Sequence, residues 1–282
     1  MDKSLYILGT RVDRVSFAQA LDRAREFLAS GGKHLIVTPY AETMVAARAD
    51  SQFQKVINDS SLSVADGSGL LAAADFLSRR IVAQGLVRTL VVVVSGFLAG
   101  LKLLFFRPSF KLLKEPVRGV DLMESLCSLA AQRSLKVYLL GGGSGVVERT
   151  IQILKSMFPS LVISGDSGPL DLGKASSPAM EGTISRINEF APSFLFVAFR
   201  PGEQEKWLAQ NMGRIDAKIF MAVGGAFDMI SGYKKRAPKL LRQIGLEWFW
   251  RLVIEPSRGK RIFNAVVVFP WLVFREKLKA SD

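Results

Sequence analysis

Asp66 is the residue best placed to move a proton. It closes the run Ser63-Val64-Ala65-Asp66-Gly67, where a short strand should give way to a turn. A carboxylate at a strand's carboxyl end, partly withdrawn from water, can be tuned to serve as a general base. A plain Asp-Gly turn is the other reading of the same dipeptide. Glu42 is the competing acid, at a place where a helix N-terminus favours a structural carboxylate. The run Gly141-Gly142-Gly143-Ser144-Gly145 sits between a strand and a helix. Backbone amides there, with the helix N-terminus, suit a diphosphate, and a tight turn is the alternative. Asp166 follows Gly143 by 23 residues, which approaches a dinucleotide fingerprint, but Val146 stands where G-x-G-x-x-G needs glycine. Gln204-Glu205 follows Arg200-Pro201-Gly202 and opens a helix. Its amide suits a sugar hydroxyl or a uracil edge, or the pair is an ordinary first turn. Arg251, Arg258 and Arg261 share a face if one helix carries them. Three guanidinium groups on one face bind a diphosphate; a solvated or lipid-facing basic face is the alternative.

Metal chemistry has little to work with. The single cysteine, Cys127, and single histidine, His34, make neither an internal disulfide nor a Cys/His cage. The chain has no Asp-x-Asp pair. No metal and no cofactor are expected, so a departing diphosphate would need arginines to stabilise it.

These groups need a frame. Short strands are expected at His34–Thr38, Ser61–Ala65, Lys136–Leu140, Leu161–Ser164, Phe194–Phe199 and Ala217–Val223. Helical patterns lie between them, at Ala41–Asn58, Val120–Ser134, after the glycine turn to about Phe158, Glu181–Phe190 and Gln204–Met212. Alternating strands and helices predict an α/β fold, a Rossmann-like, mainly parallel sheet with flanking helices. In such sheets ligands bind beyond the carboxyl ends of the strands. Thr38, Asp66, the glycine turn, Gln204 and Asp228 all fall there.

The charge is unevenly distributed. The chain carries +13 overall, of which Leu77–Arg118 holds +7 and Tyr233–Asp282 holds +8, leaving −2 for the rest. Both segments are also apolar. Lys and Arg mixed with Phe, Trp, Leu and Val suit an anionic membrane surface; long aliphatic runs such as Leu90–Val94 argue against nucleic acid. Thr89–Leu101 is charge-free for 13 residues, short of the roughly 20 that cross a bilayer. With Gly96 and Gly100, an interfacial or re-entrant helical hairpin is expected, with a buried core helix as the alternative. Ile262–Phe274 should be broken by Pro270 and lie on a surface. The organisation expected is an α/β domain over 1–245, with an apolar basic insertion at about 77–114, and a C-terminal helical, membrane-associating appendage over 246–282. The charged Met1–Asp13 carries no signal-peptide core, so a reducing, cytoplasmic compartment is expected.

Taken in order, several segments resemble the WecG/TagA/CpsF proteins, glycosyltransferase family 26. They are Thr38-Pro39-Tyr40-Ala41-Glu42, Ala65-Asp66-Gly67-Ser68-Gly69, Val117-Arg118-Gly119-Val120-Asp121 and Val137-Tyr138-Leu139-Leu140-Gly141-Gly142. Then come Gln204-Glu205, Val223-Gly224-Gly225-Ala226-Phe227-Asp228, Lys235-Arg236-Ala237-Pro238, and Gly245 to Arg251 with Glu255-Pro256 and Arg258. The resemblance implies an inverting, metal-independent transferase. It would move a sugar from a UDP-sugar to a polyprenyl-diphosphate-linked saccharide acceptor at the cytoplasmic membrane face, in cell-surface or extracellular polysaccharide synthesis. By the same resemblance Asp66 matches the base, and Thr38 and Gln204 lie near the reacting sugar. Arg251, Arg258 and Arg261 match appendage arginines that close over the diphosphate. Tyr40, Arg118, Gly141, Gly142, Glu205 and Asp228 fall in the matched motifs and join the substrate-binding set. Three departures stand out. Tyr40 replaces the usual asparagine, Arg200-Pro201-Gly202-Glu203 replaces a Gly-x-Pro-Lys pattern, and Leu77–Lys114 is longer and more apolar than usual.

Two other functions fit parts of the chain: an NAD-dependent oxidoreductase, from the glycine turn and Asp166, and a non-catalytic membrane-binding scaffold. The donor sugar and the oligomeric state stay open, and a homo-oligomer is compatible with the sequence.

Overall fold

A computed structural model describes residues 4–81, 84–105, 110, 112–113, 115–169, 178–235, 237–238, 241 and 247–279. The chain opens with a hairpin, β1 (Ser4–Ile7) and β2 (Thr10–Asp13), then α1 (Phe17–Ala29). Ser16 and Gln19 form a capping box that starts α1. Then follow β3 (His34–Val37), α2 (Ala41–Ala49), α3 (Ser51–Asp59), β4 (Leu62–Ser63), α4 (Ser68–Leu77) and α5 (Gly85–Phe105). The second half continues with α6 (Gly119–Gln132), β5 (Lys136–Gly141), α7 (Val146–Met157), β6 (Val162–Asp166) and α8 (Pro178–Phe190). After them come β7 (Phe194–Ala198), α9 (Glu203–Asn211), β8 (Ile219–Ala222) and α10 (Ala226–Ile230). The C-terminal part holds α11 (Glu247–Ile254), a 3₁₀ turn (Pro256–Arg258), α12 (Gly259–Phe263), a π segment (Asn264–Val268) and α13 (Phe269–Lys279).

Strands β3 to β8 form a six-stranded parallel sheet in the order β4-β3-β8-β7-β5-β6. Both faces are covered, as parallel sheets require. Val137, Leu139, Phe194, Phe196, Ile219 and Met221 pack under α1, α6, α7 and α10. Their neighbours Tyr138, Leu140, Leu195, Val197, Phe220 and Ala222 pack under α3, α8 and α9. The expected α/β sheet is therefore what the chain builds.

A third apolar cluster lies apart from the sheet. It joins Ile7, Leu8 and Val12 of the hairpin to α2, α4 and α5, to Phe110 and Leu113, and to Phe269 and Val273 of α13. The two basic, apolar segments thus meet each other here. Their ends are capped reciprocally. Lys277, 3% exposed, donates to the carbonyls of Leu77 and Arg79 at the end of α4. Arg88 of α5 donates to the carbonyls of Lys277 and Leu278 at the end of α13, both at 3.3 Å. The Leu8 N–H donates to Glu276 Oε2 at 3.0 Å, which ties the hairpin to α13.

Three local expectations change. Ala41–Asn58 is two helices, because Asp50 is extended (φ −129°) and its side chain caps α3 by accepting from the Phe53 N–H. The expected hairpin within 81–106 is instead one helix, α5, of 21 residues. Gly96 does not bend it but lets it lie on the rings of Phe76 and Phe274. Pro270 does not break the tail helix. The preceding turn widens to π geometry, with the Phe269 N–H reaching the Asn264 carbonyl, and this absorbs the donor that proline lacks. No described helix is long and apolar enough to cross a membrane.

Candidate active site

The carboxyl ends of the strands open into a cleft of about 1360 Å³. That exceeds the roughly 300–1,000 Å³ that takes one small ligand, which leaves room for two. Thr38, Tyr40, Asp66, Arg118, Gly142, Gln204, Glu205, Asp228, Arg258 and Arg261 all line it. Gly141 lies just behind the lining. Arg251 is on α11, but its side chain lies outside the described residues, as do Arg236, Gly245 and Leu246.

Asp66 is placed by three loops stitched together. Its N–H donates to the Pro39 carbonyl at 2.9 Å, and the Val117 N–H donates to the Ala65 carbonyl at 2.8 Å. The Gly119 N–H, at the start of α6, donates to Asp66 Oδ2 at 3.2 Å. Gly67 then takes φ +99°, a conformation open to glycine, and turns the chain straight into α4. The carboxylate consequently stands at the cleft between the N-termini of two helices.

Glu42 is differently engaged. Tyr40 Oη donates to Glu42 Oε2 at 2.5 Å, and Arg261 Nε pairs with Glu42 Oε1 at 2.7 Å. Arg261 Nη2 also donates to Tyr40 Oη at 2.8 Å. Burial, and after it the charge of Glu42, push the Tyr40 phenol upward, so it stays a donor. This three-residue latch fastens the C-terminal part to the core.

The arginines do not share one helical face. Glu255 has φ −137° and interrupts the helix after α11, so Arg258 sits in a 3₁₀ turn rather than in phase with Arg251. Arg258 Nε pairs with Glu255. Glu255 also holds Lys234 at 3.1 Å, and Lys234 holds Asp228 at 2.8 Å. Asp228 is thus held in an ion network that faces the cleft beside Gly225.

The glycine turn is a structural necessity at Gly141. There φ is +106°, and a Cβ would stand 2.4 Å from the Ala198 carbonyl oxygen of the neighbouring strand. Gly142, Gly143 and Ser144 then line the cleft ahead of α7. Gln204 is spent on the scaffold: Oε1 accepts from the N–H groups of Phe199 (3.1 Å) and Gly224 (3.0 Å), which joins the ends of β7 and β8. Its Nε2 donates to Glu205 Oε1 at 2.9 Å, and Glu205 Oε2 accepts from the Gly202 N–H at 2.6 Å. Burial raises the Glu205 carboxyl.

Asp166 is already engaged. It accepts from Tyr138 Oη (2.8 Å), Arg186 Nε (3.1 Å) and the Gly168 N–H (2.7 Å). An acid so satisfied is not presented to a ribose, and the dinucleotide reading loses its main support. Among the described residues no three His, Cys, Asp or Glu side chains gather as a metal site. Val93, Phe97 and Phe269 give the cleft an apolar end to which no motif of the sequence points. Only the helical run of small and apolar residues after Gly67 could have signalled it.

Comparison with known proteins bears on this arrangement. A family model described as the glycosyl transferase WecG/TagA/CpsF family matches residues 5–87 and 89–282. Relatives include the N-acetylglucosaminyldiphosphoundecaprenol N-acetyl-beta-D-mannosaminyltransferases of Staphylococcus aureus strains NCTC 8325 / PS 47 and MRSA252. Each is 26% identical over 275 residues, covering 97% of this chain and 93% of the relative. The chain belongs to the WecG/TagA/CpsF family of glycosyl transferases.

Proposed function

We propose that this chain transfers a sugar, with inversion and without a metal ion, from a UDP-sugar to a polyprenyl-diphosphate-linked saccharide. The reaction belongs at the cytoplasmic face of the membrane, in the synthesis of a cell-surface or extracellular polysaccharide. The observation that carries this reading is the single cleft that joins Asp66 to Arg118, Arg258 and Arg261 at one end and to apolar walls at the other. The acceptor class is supported by the relatives, whose name specifies a diphosphoundecaprenol-linked N-acetylglucosamine. Tyr40, held by Glu42 and Arg261, stands where the family usually has asparagine, so the donor sugar is left open.

In this mechanism Asp66 takes the proton of the acceptor hydroxyl as its oxygen attacks the anomeric carbon from the face opposite UDP. The bond from that carbon to the UDP oxygen breaks. Arg258 and the amides of the glycine turn meet the charge on the departing diphosphate. Arg261 fastens the C-terminal part over the site, while Thr38, Arg118, Gln204, Glu205 and Asp228 shape the pocket for the two substrates. Residues 246–282 act as the membrane-associating appendage of the 1–245 domain.

The test is incubation with a panel of UDP-sugars and a lipid-diphosphate-linked N-acetylglucosamine in EDTA. One sugar should be transferred, with release of UDP, and UDP but not NADH should raise the melting temperature. Loss of activity in EDTA, restored by Mn²⁺ or Mg²⁺, would overturn the metal-free mechanism.

A further inference from the structure

A groove leaves the cleft beside Asp66 and runs along α4. Gly69, Ala72, Ala73 and Phe76 of α4 line it, spaced three, four and seven residues from the first, so they share one helical face. Seven residues of helix advance it about 10 Å. One wall is α5, through Val93 and Phe97; the other is the C-terminal helix, through Val266 and Phe269. The walls are apolar yet wet: Val93 is 48%, Phe97 68% and Val266 38% exposed. Leu90 and Val94 of α5, also exposed, share a helical face with Val93 and Phe97.

We propose that this groove holds the isoprenoid chain of the lipid-linked acceptor and so sets its chain-length preference. The proposal rests on the reading of the cleft as a lipid-linked transferase site and adds where the chain runs. The occupant follows from the two ends. The inner end presents polar groups, Asp66 and Arg118 among them, which suit sugar hydroxyls that a phospholipid does not carry. The outer part offers hydrocarbon alone, which a nucleotide sugar does not use. A peptide laid there would leave its amides unpaired between Val93, Phe97 and Val266. A neutral sugar head on a long hydrocarbon satisfies both ends, and a diphosphate between them would lie at the cleft mouth.

The whole chain is tested in mixed phosphatidylethanolamine and phosphatidylglycerol vesicles with undecaprenyl-diphosphate-linked N-acetylglucosamine carrying a benzophenone on its first isoprene units. Irradiation should label peptides containing Val93, Phe97 or Val266, and excess dioleoylphosphatidylglycerol should not compete. Label confined to Leu86 and Leu90, or lost to the phospholipid, overturns the proposal. Val93→Trp narrows the groove at a half-exposed site where folding should be preserved. It should raise KM for a long-chain acceptor at least tenfold, leaving KM for a single-isoprene acceptor and for the donor unchanged. An equal rise for both acceptors, or no rise, also overturns it. Labelling within the groove without sugar transfer from any donor would remove the transferase reading while the groove kept its lipid.

Discussion

At the scale of single residues, two acids and two arginines divide their work. Glu42 is tied by Tyr40 and Arg261, whereas Asp66 stands on a turn facing the cleft with a backbone amide on Oδ2. Asp66→Asn keeps that acceptor and removes basicity. Turnover should fall about 10²–10⁴-fold, the usual worth of a positioned base, with UDP binding close to wild type by calorimetry. If Asp66→Asn turns over normally and Glu42→Gln, still folded, does not, the base is Glu42. Arg258 and Arg261 should separate by a different readout. Arg258→Ala removes positive charge beside the departing diphosphate, so turnover should fall by about 2–4 kcal/mol of barrier. Its melting temperature should move less than that of Arg261→Ala, because Glu255 keeps Lys234 as a partner when Arg258 is removed. Arg261→Ala opens the latch to Tyr40 and Glu42, and its signature should be a lowered melting temperature. The reverse pattern would exchange their roles.

Among the secondary-structure elements, the six strands of the parallel sheet and the crevice at their carboxyl ends were legible in the sequence. Runs such as Phe194–Ala198 are apolar on both faces, and a glycine or an acid closes most of them. The convergence of Thr38, Asp66, Gln204 and Asp228 followed from that one rule about strand ends. Other features were not legible. The hairpin β1–β2 has four-residue strands with weak alternation. Asp50 reads equally well inside a helix as at its cap. The π segment before Pro270 has no residue signature, and the meeting of α5 with α13 depends on contacts that span most of the chain. Gln204 is a different case: its position was expected, but its carbonyl serves the loops after β7 and β8. His34 offers a test of the β3 edge. It stacks on Phe27 at 4.1 Å and meets Ser30 and Ser61. Burial lowers its pKa below the ordinary imidazole range. A neutral form favoured by folding adds stability above that range, lost as pH falls through the lowered value. The chain has one histidine, so its proton NMR titration is read directly. The melting-temperature difference between wild type and His34→Gln should shrink as pH falls from 7 to 5. A constant difference would show that folding leaves the ring's titration unchanged, and a growing one that folding favours the charged ring.

The whole molecule exposes large apolar side chains from segments far apart in the chain, Leu86 (89% exposed) and Leu90 of α5 and Phe263 and Trp271 of the C-terminal helices. The protein should sediment with phosphatidylglycerol vesicles and come off as salt rises, since each surface cation contributes about 1 kcal/mol. Leu86→Asp with Leu90→Asp should release it without lowering the melting temperature, because neither side chain is part of the core. Continued sedimentation of that variant would place the membrane contact elsewhere. The bond from Leu8 to Glu276 is among the last contacts the emerging chain can make. The two residues are 268 positions apart. Ile7, Leu8 and Val12 of the first hairpin pack on α2 and α4 early, but the part of this cluster that Phe269 and Val273 complete stays open until α13 is made. Contacts of such separation form late and leave sticky surface open in the meantime. Until α13 docks, the nascent chain therefore carries an open apolar seam along α2, α4 and α5.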